Sequence, residues 1–404
     1  MTVEGVRVEG GGLAGIRVVE MGVLLAGPFC GQLLADHGAD VIKIEQPKVG
    51  DPMREWGREK PHGKSLWWPV VARGKRSVTL NLRADEGQQL ARQLLAEADI
   101  LVENFRPGTL ERWNLSPEQL HEINPGLIIV RVTGFGQTGP YASQPGYGAI
   151  GEAMGGLRHV VGEPDAAPSR VGISIGDSLA ASYACMGALI ALQARQRTGK
   201  GQVVDAAIYE SVLAMMESLI PEYAVAGYTR ERTGAILPNV APSNVYPTSD
   251  GLLLIAANQD TVFVRLATAM GQPELAEDPR FATHSARGEH QSALDELISA
   301  WSSTLTVKQL EELLREHAVP HGAIYTAKEM LADEHFKARD AIVTLPHPEF
   351  GQVPMQNVVP KLSATPGEVR AVGPELGQHN VAVWQELLGI DDARYEQLVA
   401  DGII

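Results

Sequence analysis

Cysteine is nearly missing, with two residues in 404, Cys30 and Cys185, both inside apolar stretches of helical pattern. That scarcity excludes a disulfide-stapled fold and any paired-cysteine metal site, and it reads as two buried thiols in a reducing compartment. Basic residues are also in deficit: 34 Lys+Arg stand against 49 Asp+Glu, a formal charge of −15. A broad nucleic-acid surface needs the opposite surplus, so the expectation is no nucleic-acid partner, although one small anion on a local basic cluster stays open. Long hydrophobic runs are lacking too. The most apolar stretch, Leu179–Leu192, contains Ser182 and Gly187 and falls short of the roughly 18 residues that cross a bilayer. The segment Met1–Gly12 has neither the basic nor the apolar region of a secretion signal. The expectation is therefore a cytoplasmic protein with no membrane partner. What is present is ordinary globular composition, 44% hydrophobic and 21% charged, on a chain long enough for about two or three compact units.

Through the first 135 residues short apolar runs alternate with helical periods. Strands are expected at Gly15–Met21, Ala39–Glu45, Ser77–Leu82, Asp99–Phe105 and Leu127–Thr133. Helices are expected at Gly27–His37 and Ala84–Ala98, with another capped by Ser116 and started by Pro117. Alternation of this kind predicts an α/β fold, a mostly parallel sheet covered by helices. A long helix Ser178–Arg195, a strand Gln202–Asp205 and a helix through Leu219 follow. The pattern changes after the Gly- and Pro-containing stretch Gly227–Pro247, where a strand at Leu252–Ala257 leads into amphipathic helices around Val262–Met270, Gln291–Ser303 and Val307–His317. This divides the chain into a large α/β domain over 1–224, a smaller domain over 225–330 and a return segment over 331–404 that completes the large one. Within the last segment His347–Leu362 reads as β-rich and the tail from Asn380 as helical.

Several short motifs fail on context. Gly10-Gly-Gly12-Leu-Ala-Gly15 matches the dinucleotide fingerprint but precedes a strand, and Gly146-Tyr-Gly148-Ala-Ile-Gly151 is separated from its strand by a long loop. The Gly-Lys pairs ending at Lys64, Lys75 and Lys200 lack the rest of a phosphate loop, so no ATP use is indicated. No HExxH or paired-cysteine pattern occurs, so no metal is implied. Gly172-Ile-Ser174-Ile-Gly176 matches the GxSxG elbow of serine hydrolases and a helix follows it, but its approach, Pro164–Val171, is polar and broken by proline. A thioesterase or esterase using Ser174 stands as the alternative.

Asp177 follows that last glycine, directly before the expected helix. One reading makes it an N-cap, accepting backbone N–H groups at the positive end of the helix. The other uses the same physics: those N–H groups keep the carboxylate ionised, and Gly176, Ser178 and Ala180 leave room for an acyl group, so it serves as a nucleophile. Both readings hold together. A second constellation is basic: Arg73-Gly-Lys75-Arg76-Ser77 opens a strand, Glu103-Asn104-Phe105-Arg106 closes another, and Arg112 lies further on. Loops that close parallel strands are where α/β proteins bind ligands, and Arg and Lys there suit a polyphosphate or carboxylate. The alternative for these residues is scattered surface charge.

Taken in order, these strings resemble the class III CoA-transferase family, whose relatives include formyl-CoA transferase and α-methylacyl-CoA racemase. The resemblance rests on Ala26-Gly-Pro28, Gly38-Ala-Asp-Val-Ile-Lys-Ile-Glu45, Lys75-Arg-Ser77, Val102-Glu-Asn-Phe105, Thr133-Gly-Phe-Gly136, Pro145-Gly-Tyr147, Gly176-Asp177, Thr198-Gly-Lys-Gly201, Asp278-Pro-Arg-Phe281 and Leu376-Gly-Gln-His379. It implies a doubly wound, Rossmann-like large domain with a smaller α+β domain in an interlocked, ring-shaped homodimer. It implies Asp177 as the nucleophile, passing through a mixed anhydride and an aspartyl-CoA thioester. CoA thioesters are then substrates, with no permanently bound cofactor, and a carboxylic acid is the acceptor. Lys75, Asn104 and Arg112 fall along the implied CoA site, with Arg76, Phe105 and Arg106 as neighbours.

Departures from the family pattern refine the expectation. The racemase branch has His-Asp where this chain has Tyr147-Gly148, which favours transfer over racemisation. Leu25 stands where formyl-CoA transferase has a glutamine near the reacting acyl group, and Ile236–Pro242 replaces its glycine-rich closing loop. The pattern is closer to the branch that uses succinyl-CoA with C4–C6 dicarboxylates such as malate, citramalate, mesaconate or itaconate. Transfer between two molecules and transfer between the two carboxyls of one both remain open. Leu25, Tyr147, Arg54 and Arg158, with His159, are the candidates for the substrate pocket, and His321, His347 and His379 read as structural.

Overall fold

The computed structural model describes residues 10–404, so most of the N-terminal segment read for a secretion signal lies outside the described residues. The chain forms two compact units. The first comprises residues up to Leu157, Val171–Ile220 and Lys337–Ile404; the second comprises Arg158–Arg170 and Pro221–Phe336. The second unit thus takes a segment from before residue 224 and runs past 330.

The first unit is built on six parallel strands. In chain order its elements are β1 (Arg17–Glu20), α1 (Ala26–Asp36), β2 (Asp40–Glu45), β3 (Lys75–Thr79), α2 (Asp85–Ala96), β4 (Ile100–Glu103), α3 (Pro117–Ile123), β5 (Ile128–Thr133), α4 (Gly148–Met154), α5 (Ile175–Thr198), β6 (Val203–Ala207) and α6 (Ile208–Leu213). The strand order is β3-β2-β1-β4-β5-β6, all neighbours parallel. The chain winds outward from β1 in one direction and then, from β4, in the other, as in a doubly wound sheet.

Adjacent residues of each strand feed opposite cores, as the two-residue strand period dictates. Val18, Val41, Ile100, Ile128 and Val130 pack under α1 and α5. Val19, Ile42, Leu101 and Ile129 pack under α2, α3 and the C-terminal helices. The helices form for local reasons. Leu90, Ala91, Leu94 and Leu95 make the buried stripe of α2, with Asp85 and Glu86 at its N-terminus. A capping box between Ser116 and Gln119, with Pro117 in the first turn, starts α3.

Helix α5 is longer than its apolar centre foretells. It runs 24 residues, and one 18-residue window reaches a mean hydropathy of 1.5, so length and composition alone would admit a bilayer span. Here its small side chains Ala180, Ala184, Ala188 and Ala191 are buried in the core beside α1. Cys30 of α1 and Cys185 of α5 are free and buried there, and burial pushes both thiols up, Cys185 to about 11. The helix expected through Leu219 is two, α6 and Leu219–Ala226. Pro221 would break a continuous helix, whereas it sits in the first turn of the second, where no N–H is needed.

The C-terminal segment closes the open edge of the sheet. His379 N–H donates to Ser77 O (2.9 Å), Ser77 N–H to His379 Nδ1 (3.2 Å), and Thr79 N–H to Asn380 Oδ1 (2.8 Å). Val383, Trp384, Leu398, Ile403 and Ile404 then bury in the core shared with α2. A hairpin, Ile342–His347 with Gly351–Gln356, precedes them.

The second unit carries a three-stranded antiparallel sheet, β7 (Ser243–Pro247), β8 (Leu252–Ala256) and β9 (His321–Ala323), in that order. Helices α7 (Asp260–Ala269), α8 (Gln291–Ser302) and α9 (Val307–Glu316) cover it through Phe263, Leu266, Leu294, Ile298, Leu310 and Leu314. Arg287, fully buried, donates to the carbonyls of Ala241, Phe281 and Asn258 and pairs with Asp260.

Candidate active site

A sheet that reverses its winding leaves a crevice where β1 and β4 part, outside the carboxyl ends of the strands. The cleft found there has a volume of about 450 Å³. Its wall takes Met21 and Val23 after β1, Gln46 and Val49 to Pro52 after β2, Leu80 to Arg83 after β3, and Phe105, Arg106, Thr109 and Trp113 after β4. Phe105 and Trp113 meet edge to face at 5.0 Å, offering π surface beside the exposed Arg106. The turn that presents Phe105 is held from below. Its N–H donates to Glu103 Oε2 (2.7 Å), while Glu103 Oε1 accepts from Arg131 (2.7 Å). Burial pushes the Glu103 carboxyl up to about 7, against the pull of Arg131.

Of the six residues expected along a CoA site, the cleft wall contains Phe105 and Arg106. Arg112 lies exposed in the helical turn after them, its guanidinium donating to Thr109 Oγ1 (2.9 Å). The other three are committed elsewhere. Asn104 clamps the loop after β1, its side chain accepting from Val23 N–H and donating to Val23 O, both 2.8 Å. Arg76 pairs with Asp40 at the opening end of β2, away from the cleft. Lys75 is fully buried under α1, 2.7 Å from Glu20 Oε2 and donating to Pro28 O (2.6 Å). Burial, with Lys43 nearby, pulls its pKa down against the attraction of Glu20. Gly31 makes the room: a Cβ there would fall 1.8 Å from Glu20 Oε2. Lys43, also buried, joins the same carboxylate at 3.0 Å and Asp51 at 2.8 Å, and donates to Gly22 O (2.6 Å). Asp51 in turn accepts from Leu24 N–H (3.1 Å), a residue held at φ +63°. Two buried lysines thus bond carbonyls on both flanks of the loop Gly22–Pro28.

The residues expected to line the substrate pocket lie on different elements. Leu25 stands at the start of α1, beside the small core of Met53 and Trp68. Arg54 makes a two-pronged bond with Glu45 (2.8 Å twice), donates to Pro374 O and stacks 3.7 Å over Trp68, so its guanidinium is engaged by the fold. Arg158 and His159 belong to the second unit. Tyr147 is exposed and precedes α4. His321, His347 and His379 each bond backbone groups through a ring nitrogen, as structural residues do.

Asp177 is the third residue of α5 rather than the residue before it, because the helix starts at Ile175. Since α5 leads back into parallel β6, its N-terminus faces the carboxyl edge of the sheet, the edge that carries the cleft. The carboxylate lies against Gly148: a Cβ on that glycine would sit 2.2 Å from Asp177 Oδ2. The glycines of α4 were legible only as a failed dinucleotide fingerprint. Their role is close approach, Gly148 to Asp177 and Gly151 to Ile208 of α6. Ser174 precedes α5 on an irregular segment with no strand leading into it, so the hydrolase elbow is absent.

The chain belongs to CoA-transferase family III, whose pattern it matches over residues 13–380. It is therefore an enzyme of a family that acts on CoA thioesters. It is 61% identical over 390 residues to succinyl-CoA–D-citramalate CoA-transferase of Chloroflexus aurantiacus, covering 96% of this chain and 97% of that one. The β subunit of succinyl-CoA–L-malate CoA-transferase of the same organism is 41% identical over 396 residues, covering 97% and 98%. A crystal structure of a CAIB/BAIF family protein from Brucella suis superposes with a TM-score of 0.83 at 37% identity, covering 94% of this chain and all of that one.

Proposed function

We propose that this protein moves CoA from succinyl-CoA to a small dicarboxylic acid of the citramalate or malate type, with Asp177 as nucleophile. The observation that carries the reading is the seat of Asp177, in the first turn of α5 at the carboxyl edge of the sheet and with no side chain at Gly148 to crowd it. The identity with the citramalate and malate enzymes supports the substrate class. In the first step an Asp177 oxygen attacks the thioester carbon, the C–S bond breaks and CoA thiolate leaves, giving a mixed anhydride. The thiolate then attacks the aspartyl carbonyl and succinate departs. The acceptor carboxylate repeats the sequence in reverse, and Asp177 returns as a carboxylate. No water, ATP or metal enters, because each thioester is made from another.

The adenine nucleotide of CoA is assigned to the switch-point cleft, with its base against Phe105 and Trp113 and its phosphates toward Arg106 and Arg112. Two free, buried thiols are in keeping with a cytoplasmic enzyme. Intact-protein mass spectrometry after mixing with succinyl-CoA tests the nucleophile. The wild-type chain gains a CoA-sized adduct that disappears on adding citramalate or malate, and Asp177→Ala gains none. An Asp177→Ala protein that transfers CoA at the wild-type rate refutes the reading.

A further inference from the structure

Ser174 stands at the N-cap position of the helix that carries Asp177, and its side chain does not make the capping bond to the first turn. A carboxylate from another helix reaches that turn. Glu152 of α4 is fully buried, its Oε1 accepts the Gly176 N–H at 3.4 Å, and its Cγ would lie 3.1 Å from a Cβ on Gly176. Glu152 stands four residues after Gly148, so the two lie one turn apart on one face of α4. That face meets successive residues of α5: Glu152 meets Gly176 and Gly148 meets Asp177. A side chain at 148 would push the carboxylate away, and a shorter one at 152 would leave the preceding N–H without its acceptor.

We propose that Glu152 is a positioning residue for the transfer reaction, acting with Gly148 as a cradle that fixes where the Asp177 carboxylate points. The proposal rests on the reading of Asp177 as nucleophile. An attacking oxygen displaced by roughly 1 Å can lose about a hundredfold in rate, so geometry alone is enough to matter here.

Gly148→Ala is the decisive variant, since it removes no group and raises helix propensity. A Cβ 2.2 Å from Oδ2 forces the carboxylate to move by roughly 1 Å, so formation of the CoA adduct from succinyl-CoA slows by about a hundredfold. The melting temperature is expected to hold or rise, and the affinity for free CoA to stay within twofold. Glu152→Gln keeps an oxygen for Gly176 and holds the wild-type rate within a few-fold, whereas Glu152→Ala loses tenfold or more in kcat at an unchanged KM for succinyl-CoA. Wild-type labelling by Gly148→Ala, or by a folded Glu152→Ala, overturns the proposal. Should Glu152→Ala fail to fold, Gly148→Ala decides alone. Asp177→Ala runs beside them: if it still forms the adduct, the nucleophile assignment has failed, and if it is dead while the cradle variants are normal, only the cradle has.

Discussion

Lys75 is where the fold and a ligand-binding role make opposite predictions. Its ammonium is fully buried, bonded to Glu20 and to Pro28 O, and no part of it lines the cleft. Lys75→Ala leaves the Glu20 carboxylate with Lys43 as its remaining ion pair and removes the donor to Pro28 O. Breaking one side of a buried pair costs about 3–5 kcal/mol, and for a domain of this size each kcal/mol moves the melting temperature by roughly 2–4 °C. The expected drop is therefore roughly 6–20 °C. A direct contact with a CoA phosphate would do something else. Losing a charge-assisted bond worth roughly 1.5–3 kcal/mol raises KM for the thioester about 10- to 150-fold and leaves the melting temperature alone. Thermal unfolding by circular dichroism and initial rates across a succinyl-CoA series separate the two. Glu20→Gln combined with Lys75→Met, which removes both charges together, should recover part of the lost stability. A raised KM at an unaltered melting temperature would falsify the burial argument and return Lys75 to the CoA site.

Two further predictions concern stability and assembly. His379 Nδ1 accepts the Ser77 N–H, and burial followed by the nearby Arg76 depresses its pKa. Its folded value lies below the unfolded one, so its contribution is full above the ordinary histidine value of about 6.5 and is lost as pH falls through the depressed one. Urea unfolding at pH 7.5 and 5.5 should show a smaller pH dependence in His379→Ala; an equal slope refutes the assignment. The homodimer implied by the family resemblance is expected to cover apolar side chains that stand exposed on the first unit, among them Met186 and Ile190 of α5, Met215 and Ile220. Sedimentation velocity is expected to return a dimer that Ile190→Glu weakens, and a wild-type monomer at micromolar concentration contradicts it.

The sheet was legible because its strands are short apolar runs separated by helices with strong end signals. Ser116-Pro117 and the stripe of α2 are examples, and the structure places β1 to β5 within a few residues of the expected runs. Side-chain positions were legible where the loop after a strand decides them, as for Phe105 in the cleft wall. They failed where a partner distant in sequence decides, because no local pattern announces that Glu20 will meet Lys75, or that Asp36 will take Arg73. The helix expected to start at Ser178 starts at Ile175, because a helix start is blurred when its first turn is met by a carboxylate from another helix. The contribution of Arg158–Arg170 to the second unit had no signal either, since that segment carries little periodicity.

The strap that closes the β3 edge has a consequence for how the chain is made. Ser77 and Thr79 leave the ribosome some 300 residues before His379 and Asn380, and the core around α2 waits as long for Trp384 and Leu398. Throughout that interval the nascent sheet has an unpaired edge and an uncovered apolar face, while the second unit, whose parts after Pro221 are continuous, has already emerged complete. Synthesis therefore finishes the inserted unit before the one that holds Asp177. The last two dozen residues act as a latch, and a ribosome stalled just short of them releases a sheet poised to pair with a stranger.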